Sequence, residues 1–85
     1  SNAIESGKME LRIESVPLVD EVRHLVQDYQ TKAASKNITL HFATEREDLS
    51  AVADKHRTVQ VIENLLSNAI KFSPANKNVY LNLVT

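Results

Sequence analysis

Hydrophobic and polar residues alternate in three segments of the chain, and each alternation predicts a β-strand. In residues 9–14, every second residue is apolar and the residues between are charged. Similar alternation runs through residues 38–42 and 79–84. Residues 51–53 form a short apolar run and are a further strand candidate. The pattern therefore predicts four strands, of which three present one apolar face to a core.

Two longer segments repeat their apolar residues at steps of three and four, which is the period of an α-helix. The first is expected to begin at residues 15–17, whose proline suits a first helical turn, and to end near residues 35–37. Asp54 is a plausible N-cap for the second, which runs to about Phe72 and is stopped by Ser73-Pro74. The apolar face of the first helix comprises Leu18, Val22, Leu25, Val26, Tyr29 and Ala33.

The predicted elements follow the order β-α-β-β-α-β, which indicates an α+β fold. A two-layer α/β sandwich, with two helices on one face of a sheet, accounts for that order. The 85 residues suffice for one small domain. Residues 1–3, Ser-Asn-Ala, look like the scar of a removed purification tag and are not expected to belong to the fold.

Composition narrows the possible functions. Ten Lys and Arg residues against eleven Asp and Glu residues give a net charge of −1, so no basic surface for nucleic acid is indicated. The chain has no cysteine, which excludes disulfides and thiolate metal sites and fits an intracellular protein. Its single glycine, Gly7, excludes the glycine-rich phosphate loops, which need at least two.

The second helix carries a narrow polar stripe. At about 100° per residue, four polar side chains lie within about 40° of Asn64, and an apolar face lies opposite. The stripe members beside Asn64 are Arg57, Gln60, Asn68 and Lys71. The apolar positions are Val59, Ile62, Leu66, Ala69 and Ile70.

Two interpretations of this stripe remain open on spacing alone. One is an ordinary solvated helix face. However, each asparagine inside a helix costs roughly 0.5 kcal/mol relative to better helix formers, and here two lie one turn apart. The other interpretation is a metal–phosphate site, because asparagine oxygens suit Mg²⁺ and Lys71 could meet a phosphate group.

The residues of the second helix resemble the N-box of sensor histidine kinases, which belong to the ATPase superfamily of gyrase, the heat-shock chaperone and MutL. The resemblance is strongest over residues 54–74, and residues 4–11 look like the join between the dimerisation and catalytic domains. It implies a truncated Bergerat-type ATPase fold. Residues 4–8 would end the dimerisation and phosphotransfer helix, and residues 9–85 would form the N-terminal part of the ATP-binding domain. The N-box residues are Asn64-Leu65-Leu66-Ser67-Asn68-Ala69-Ile70-Lys71-Phe72.

This resemblance implies roles for individual residues. Asn64 and Asn68 match the two N-box asparagines, with Asn68 as the principal Mg²⁺ ligand that bridges to ATP. Lys71 matches the lysine that contacts phosphate, and Phe72 matches an aromatic position that lines the nucleotide pocket. Hydrolytic superfamily members place a glutamate base at the position of Asn64. An amide cannot take a proton from water, so phosphoryl transfer to a histidine is favoured over hydrolysis. Glu63 lies about 100° off the stripe and is a less suitable participant.

The implied parent protein is a cytoplasmic histidine kinase, or one whose membrane anchor leaves this part in the cytoplasm. It would transfer the γ-phosphoryl group of ATP to a histidine and then to a response regulator aspartate. Its partners would be a receiver domain and its own dimerisation domain, in a homodimer or a strand-swapped assembly. The chain lacks the family's Asp-x-Gly-x-Gly segment, and His24, His41 and His56 do not match an H-box. The isolated chain is therefore expected to be inactive.

Two alternatives belong to other functional classes. A degenerate domain of the same superfamily could serve only as a non-catalytic docking or dimerisation module. An Asp-x-Gly-x-Gly segment downstream of Thr85 would favour the kinase over this module. A hydrolytic ATPase is disfavoured by Asn64.

Overall fold

A computed structural model describes residues 11–84 and has the predicted β-α-β-β-α-β order. The predicted tag scar and the end of the dimerisation helix, residues 1–8, lie outside the described residues, as do residues 9–10 of the first predicted strand. Neither helix in the described part of the chain combines the length and the apolarity that a membrane crossing requires. The elements are β1 Ile13–Pro17, α1 Leu18–Ala34, β2 Thr39–Thr44, β3 Ser50–Asp54, α2 Lys55–Phe72 and β4 Asn78–Leu83.

The first strand lies later in the chain than its sequence pattern predicts. The alternation indicated a strand over residues 9–14 and a helix from residues 15–17, whereas β1 occupies Ile13–Pro17. Its buried side chain is Val16, and Ile13 is 59% exposed. The prediction was wrong because Val16 precedes a proline, which disfavours the helical backbone and prolongs the strand. Pro17 is itself extended and becomes the N-cap residue of α1.

The four strands form two small sheets rather than the single sheet that was expected. In one sheet, β1 pairs antiparallel with β3 from Ile13 opposite Asp54 to Pro17 opposite Ser50. In the other sheet, β2 pairs parallel with β4, with Leu40 opposite Val79. A parallel pair requires a crossover connection, and β3 with α2 supplies it. Helix α2 is therefore part of the crossover that brings the chain from β2 back to pair with it as β4.

The core lies between the two helices and the β2–β4 sheet. Helix α1 buries four of the six residues that its spacing predicts for this face, whereas Leu18 is half-buried and Val19, which the prediction left out, is buried. Tyr29 and Phe42 pack against this core while remaining half-buried. The core cluster has no buried polar or charged residue among those described. Its buried members are Val22, Leu25, Val26, Ala33, Ile38, Leu40, Leu66 and Ile70.

Both ends of α2 agree with the sequence prediction. At its start, the Asp54 carboxylate accepts a 3.0 Å hydrogen bond from the backbone N–H of Arg57, as an N-cap does. At its end, Ser73 adopts an extended backbone before Pro74. The helix that carries the polar stripe therefore has well-defined limits.

Candidate functional site

The polar stripe of α2 faces solvent along its whole length. Asn64 and its four predicted companions are all exposed. On the opposite face, Leu66 and Ile70 are buried, and the other three predicted positions are half-buried. The structure thus brings the candidate residues Asn64, Asn68 and Lys71 onto one accessible face. Their roles in binding stay predictions.

Asn64 and Asn68 offer side-chain oxygens one helical turn apart. Asn64 borders an open depression of about 560 Å³, together with Arg57 and Gln60. Residues 11–84 contain no cluster of three or more His, Cys, Asp or Glu side chains that could hold a metal by itself. A magnesium ion here would depend on neutral amide oxygens, which suit this hard ion, and on oxygens of a bound phosphate and water. The donor set fits Mg²⁺ bound together with a phosphate ligand.

Lys71 and Phe72 form the end of the same helix. The Lys71 ammonium lies 5.3 Å from the centroid of the Phe72 ring, within the range of a cation–π contact. The Phe72 side chain is 73% exposed, so the predicted pocket wall presents an open ring in this structure. A lysine in the last turn also interacts favourably with the negative end of the helix dipole. Both side chains are accessible to a ligand that lies along the stripe.

The carboxyl end of α2 is held by a lysine that sequence reasoning did not single out. The Lys36 ammonium donates hydrogen bonds of 2.8, 3.2 and 2.6 Å to the backbone carbonyls of Ile70, Lys71 and Ser73. Lys36 lies in the turn after α1, 35 positions before Lys71. No local pattern of the sequence indicates a contact over that separation.

Asp54 fixes the amino end of α2. Its carboxylate accepts hydrogen bonds from the backbone N–H groups of Arg57 and Arg12, at 3.0 and 2.8 Å. These two bonds, that of Arg57 first, hold the pKa of Asp54 below its usual value, because they stabilise the charged form. Nearby, the Lys55 ammonium lies 3.2 Å from the Glu21 carboxylate and joins α2 to α1.

An apolar surface adjoins the polar stripe. Val61 and Leu65 of α2 are 60% and 62% exposed, and the sequence analysis assigned neither to a face. They border an apolar cavity of about 330 Å³ whose other walls include Phe42 and Leu81. The spacing of Val61 and Leu65, one turn apart, was the available signal for this surface.

The three histidines are all exposed. His24 is exposed on α1, with its Nε2 atom 3.6 Å from the Asp28 carboxylate. His41 lies on the exposed face of β2 and stacks on Tyr80, with ring centroids 4.8 Å apart. His56 is exposed in the first turn of α2. The stacking of His41 on Tyr80 follows from their direct pairing across the parallel sheet.

Comparison with known proteins finds kinases among the relatives of this chain. The chain is 33% identical over 72 residues to hybrid signal transduction histidine kinase D of Dictyostelium discoideum. It is 34% identical over 62 residues to the adaptive-response sensory kinase SasA of Synechocystis sp.. These matches cover 85% and 73% of the chain, but 5% and 16% of the two relatives. No protein-family model matches the chain.

Solved structures agree with the sequence relatives. The catalytic domain of histidine kinase ThkA, in a nucleotide-free form, superposes with a TM-score of 0.82 at 28% identity over 88% of this chain. The resemblance to sensor histidine kinases is therefore confirmed. The histidine kinase-like chain spans 51% of that catalytic domain.

A second solved structure has a partner protein. Histidine kinase ThkA in complex with the response regulator TrrA matches 96% of this chain with a TM-score of 0.80 and 28% identity. The chain covers 25% of that kinase chain. The described fold is accordingly that of a part of a histidine kinase catalytic domain.

Proposed function

We propose that the chain supplies the metal- and phosphate-binding helix of an ATP site in a sensor histidine kinase. The complete protein would transfer the γ-phosphoryl group of ATP to a histidine and then to an aspartate of a response regulator. The observation that carries the proposal is the exposure of Asn64, Asn68 and Lys71 on one face of α2, whose opposite face is packed in the core. The two relatives and the ThkA catalytic domain described above are kinases by name, and they support the same reaction class.

Each stripe residue has a distinct task in this proposal. Asn68, and Asn64 one turn before it, would hold Mg²⁺ through their amide oxygens. When bound, the ion neutralises charge on the phosphates of ATP. Lys71 would contact a phosphate as a point charge, and the exposed ring of Phe72 would form one wall of the nucleotide pocket.

The identity of residue 64 favours transfer to a histidine over transfer to water. An asparagine amide does not accept a proton from water, so it cannot act as the general base of a hydrolase. Glu63 is half-buried and lies about 100° from Asn64 around the helix, away from the stripe. The site would therefore orient ATP without supplying a base that activates water for attack on the γ-phosphate.

The kinase reaction itself is the direct test of this proposal. The full-length protein is incubated with Mg²⁺ and radiolabelled ATP, and acid-labile phosphohistidine is quantified. We expect labelling of the protein that is lost on Asn68→Ala and retained on Gln27→Ala, a change to an exposed amide of α1. Labelling unchanged by Asn68→Ala would reject the metal assignment.

We expect the 85-residue chain alone to bind nucleotide weakly. The stripe can reach only the metal and the phosphates, and the chain has no Asp-x-Gly-x-Gly segment to hold adenine. Calorimetric titration with a non-hydrolysable ATP analogue and Mg²⁺ measures this, and micromolar affinity would contradict the expectation.

A docking or dimerisation module is the second candidate function. It is favoured by the exposed apolar residues Val61 and Leu65 and by Tyr80 and Val84, which are 68% and 66% exposed on or beside β4. Strand β4 also has no charged side chain, so its edge lacks a common protection against pairing with another strand. We expect the isolated chain to self-associate as a dimer or a swapped assembly. A monomer at all concentrations in sedimentation equilibrium would count against this.

A further inference from the structure

Lys36 joins two distant parts of the chain through a single ammonium group. Its Nζ atom lies within 2.6–3.2 Å of three backbone carbonyl oxygens, those of Ile70, Lys71 and Ser73. The last carbonyls of a helix have no partner within the helix, and a cation there also meets the negative end of the dipole. Lys36 therefore caps the carboxyl end of α2 from outside the helix.

The surrounding hydrogen bonds hold the backbone of Lys36 beside the turn after α2. The backbone carbonyl of Lys36 accepts a 3.0 Å bond from the N–H of Asn76, and the Asn37 side chain donates a 2.8 Å bond to Asn76. The N–H of Thr39 donates to the carbonyl of Lys77 at 3.1 Å. The segment from the turn after α1 to the first residue of β2 is thus bonded to the turn after α2 at Lys36, Asn37 and Thr39. We call these two segments, residues 35–39 and 73–77, the junction.

The bonded carbonyls lie next to the residues that the proposed function assigns to the nucleotide. Lys36 holds the carbonyl of Lys71 itself and those of the residues on either side of the Lys71–Phe72 pair. Helix ends fray when their last carbonyls lack partners. If the helix end frayed, the backbone from which the Lys71 and Phe72 side chains extend would no longer be held in one place. The short contact to Ser73 also holds the chain where it leaves the helix.

We propose that Lys36 is a positioning residue of the nucleotide site, which acts through the backbone of α2 to hold Lys71 and Phe72 in place. This inference rests on the proposed function, because it assumes that Lys71 and Phe72 contact nucleotide. Because the Lys36 ammonium is bonded to three backbone carbonyls, it would act only through the helix end, and its loss should weaken nucleotide binding more than it slows the chemical step.

The first experiment measures the capping without any ligand. Amide hydrogen exchange is followed by NMR in the chain and in Lys36→Met, which keeps the length of the side chain and removes the charge. We expect faster exchange at Ser73, whose N–H closes the helix on Ala69 at 3.1 Å, and unchanged protection at the buried Leu66. Equal loss of protection at both positions, or at neither, overturns the proposal.

The second experiment separates positioning from general stability. In the full-length protein, Lys36→Met is expected to raise the KM for ATP–Mg²⁺ roughly fivefold to tenfold, as suits loss of one favourable helix-end interaction, with kcat changed less than twofold. Lys36→Arg keeps a cation with several donors and should restore most of the affinity. Lys77→Met is the matched control, because this exposed lysine joins the junction through its backbone carbonyl.

Asn68→Ala, measured alongside, separates the two hypotheses. A rise in KM on Asn68→Ala with none on Lys36→Met overturns the positioning role and leaves the proposed function intact. If Asn68→Ala and Lys71→Ala both leave KM unchanged, the proposed function fails. The exchange experiment then still decides whether Lys36 caps the helix.

Discussion

The side-chain amide of Asn37 donates a 2.8 Å hydrogen bond to the side-chain oxygen of Asn76. Both residues have left-handed backbones, with φ of 53° and 65°. Asparagine is one of the few residues that enter this region readily, and its short amide can bond nearby polar groups. The same two residues therefore turn the chain twice and tie the two turns together beside the end of α2.

Replacement of Asn76 by alanine should destabilise the chain by about 1–3 kcal/mol, from the left-handed backbone and the lost hydrogen bond together. Asn76→Gly keeps an easy positive φ and loses only the bond, so its cost should be smaller, about 1 kcal/mol. Urea denaturation of both variants measures the difference. Equal costs would show that backbone conformation contributes nothing at this position.

The lowered pKa of Asp54 predicts how stability depends on pH. The folded chain holds the carboxylate more acidic than the unfolded chain does, because the Arg57 and Arg12 N–H groups bond the charged form. This contribution is complete above the ordinary aspartate pKa of about 4 and is lost as the pH falls through the lowered value. Asp54→Asn should flatten the stability profile in that acidic range, as measured by thermal unfolding between pH 2 and 7. Glu14→Gln, at an exposed carboxylate of β1, is measured alongside as the control and should keep the contribution of Asp54.

Two adjacent leucines of α2 should differ sharply when truncated. Leu66 is fully buried and Leu65 is 62% exposed. Leu66→Ala should cost about 2–5 kcal/mol in the free energy of unfolding, because it leaves a cavity between α2 and the rest of the core. Leu65→Ala should change it by less than about 0.5 kcal/mol. Similar costs in denaturant unfolding would mean that the helix is rotated relative to the structure.

Substitution at residue 64 tests whether the asparagine there keeps the site from hydrolysing ATP. Asn64→Glu introduces a carboxylate that can accept a proton, so in the full-length protein ATP hydrolysis should rise relative to histidine phosphorylation. Asn64→Gln keeps the amide and is the control for side-chain length. Release of inorganic phosphate and formation of phosphohistidine are measured in the same samples. If the ratio of phosphate release to phosphohistidine formation is unchanged in Asn64→Glu, residue 64 does not determine whether ATP is hydrolysed.

Local rules predicted most of the fold. The start and end of α2 follow from Asp54 and from Pro74, and most of the core face of α1 follows from its helical period, although Val19 was not predicted. The predicted start of β1 was wrong because an alternating pattern does not show whether its apolar side chains have a core to pack against. Leu11 and Ile13 are apolar residues of this pattern that remain exposed. The pairing of strands into two sheets depends on contacts between distant residues, which no local pattern contains.

The candidate site also has residues that the sequence predicted and one that it did not. One helix carries Asn64, Asn68 and Lys71, so a helical projection placed all three on one exposed face. The role of Lys36 was beyond such reasoning, because the junction that brings its ammonium to α2 is formed only when both turns are folded. Sequence thus predicts residues that share an element better than residues that meet across elements.

The Mg²⁺ dependence of nucleotide affinity tests the central claim most directly. A non-hydrolysable ATP analogue is titrated calorimetrically into the full-length protein with and without Mg²⁺, for the unmodified protein, Asn68→Ala and the exposed control Gln27→Ala. If the amide of Asn68 helps hold the ion, Mg²⁺ should strengthen binding to the unmodified protein and to Gln27→Ala, and Asn68→Ala should lose most of that gain. An identical Mg²⁺ effect in all three proteins would contradict the assignment of the stripe as a metal–phosphate site.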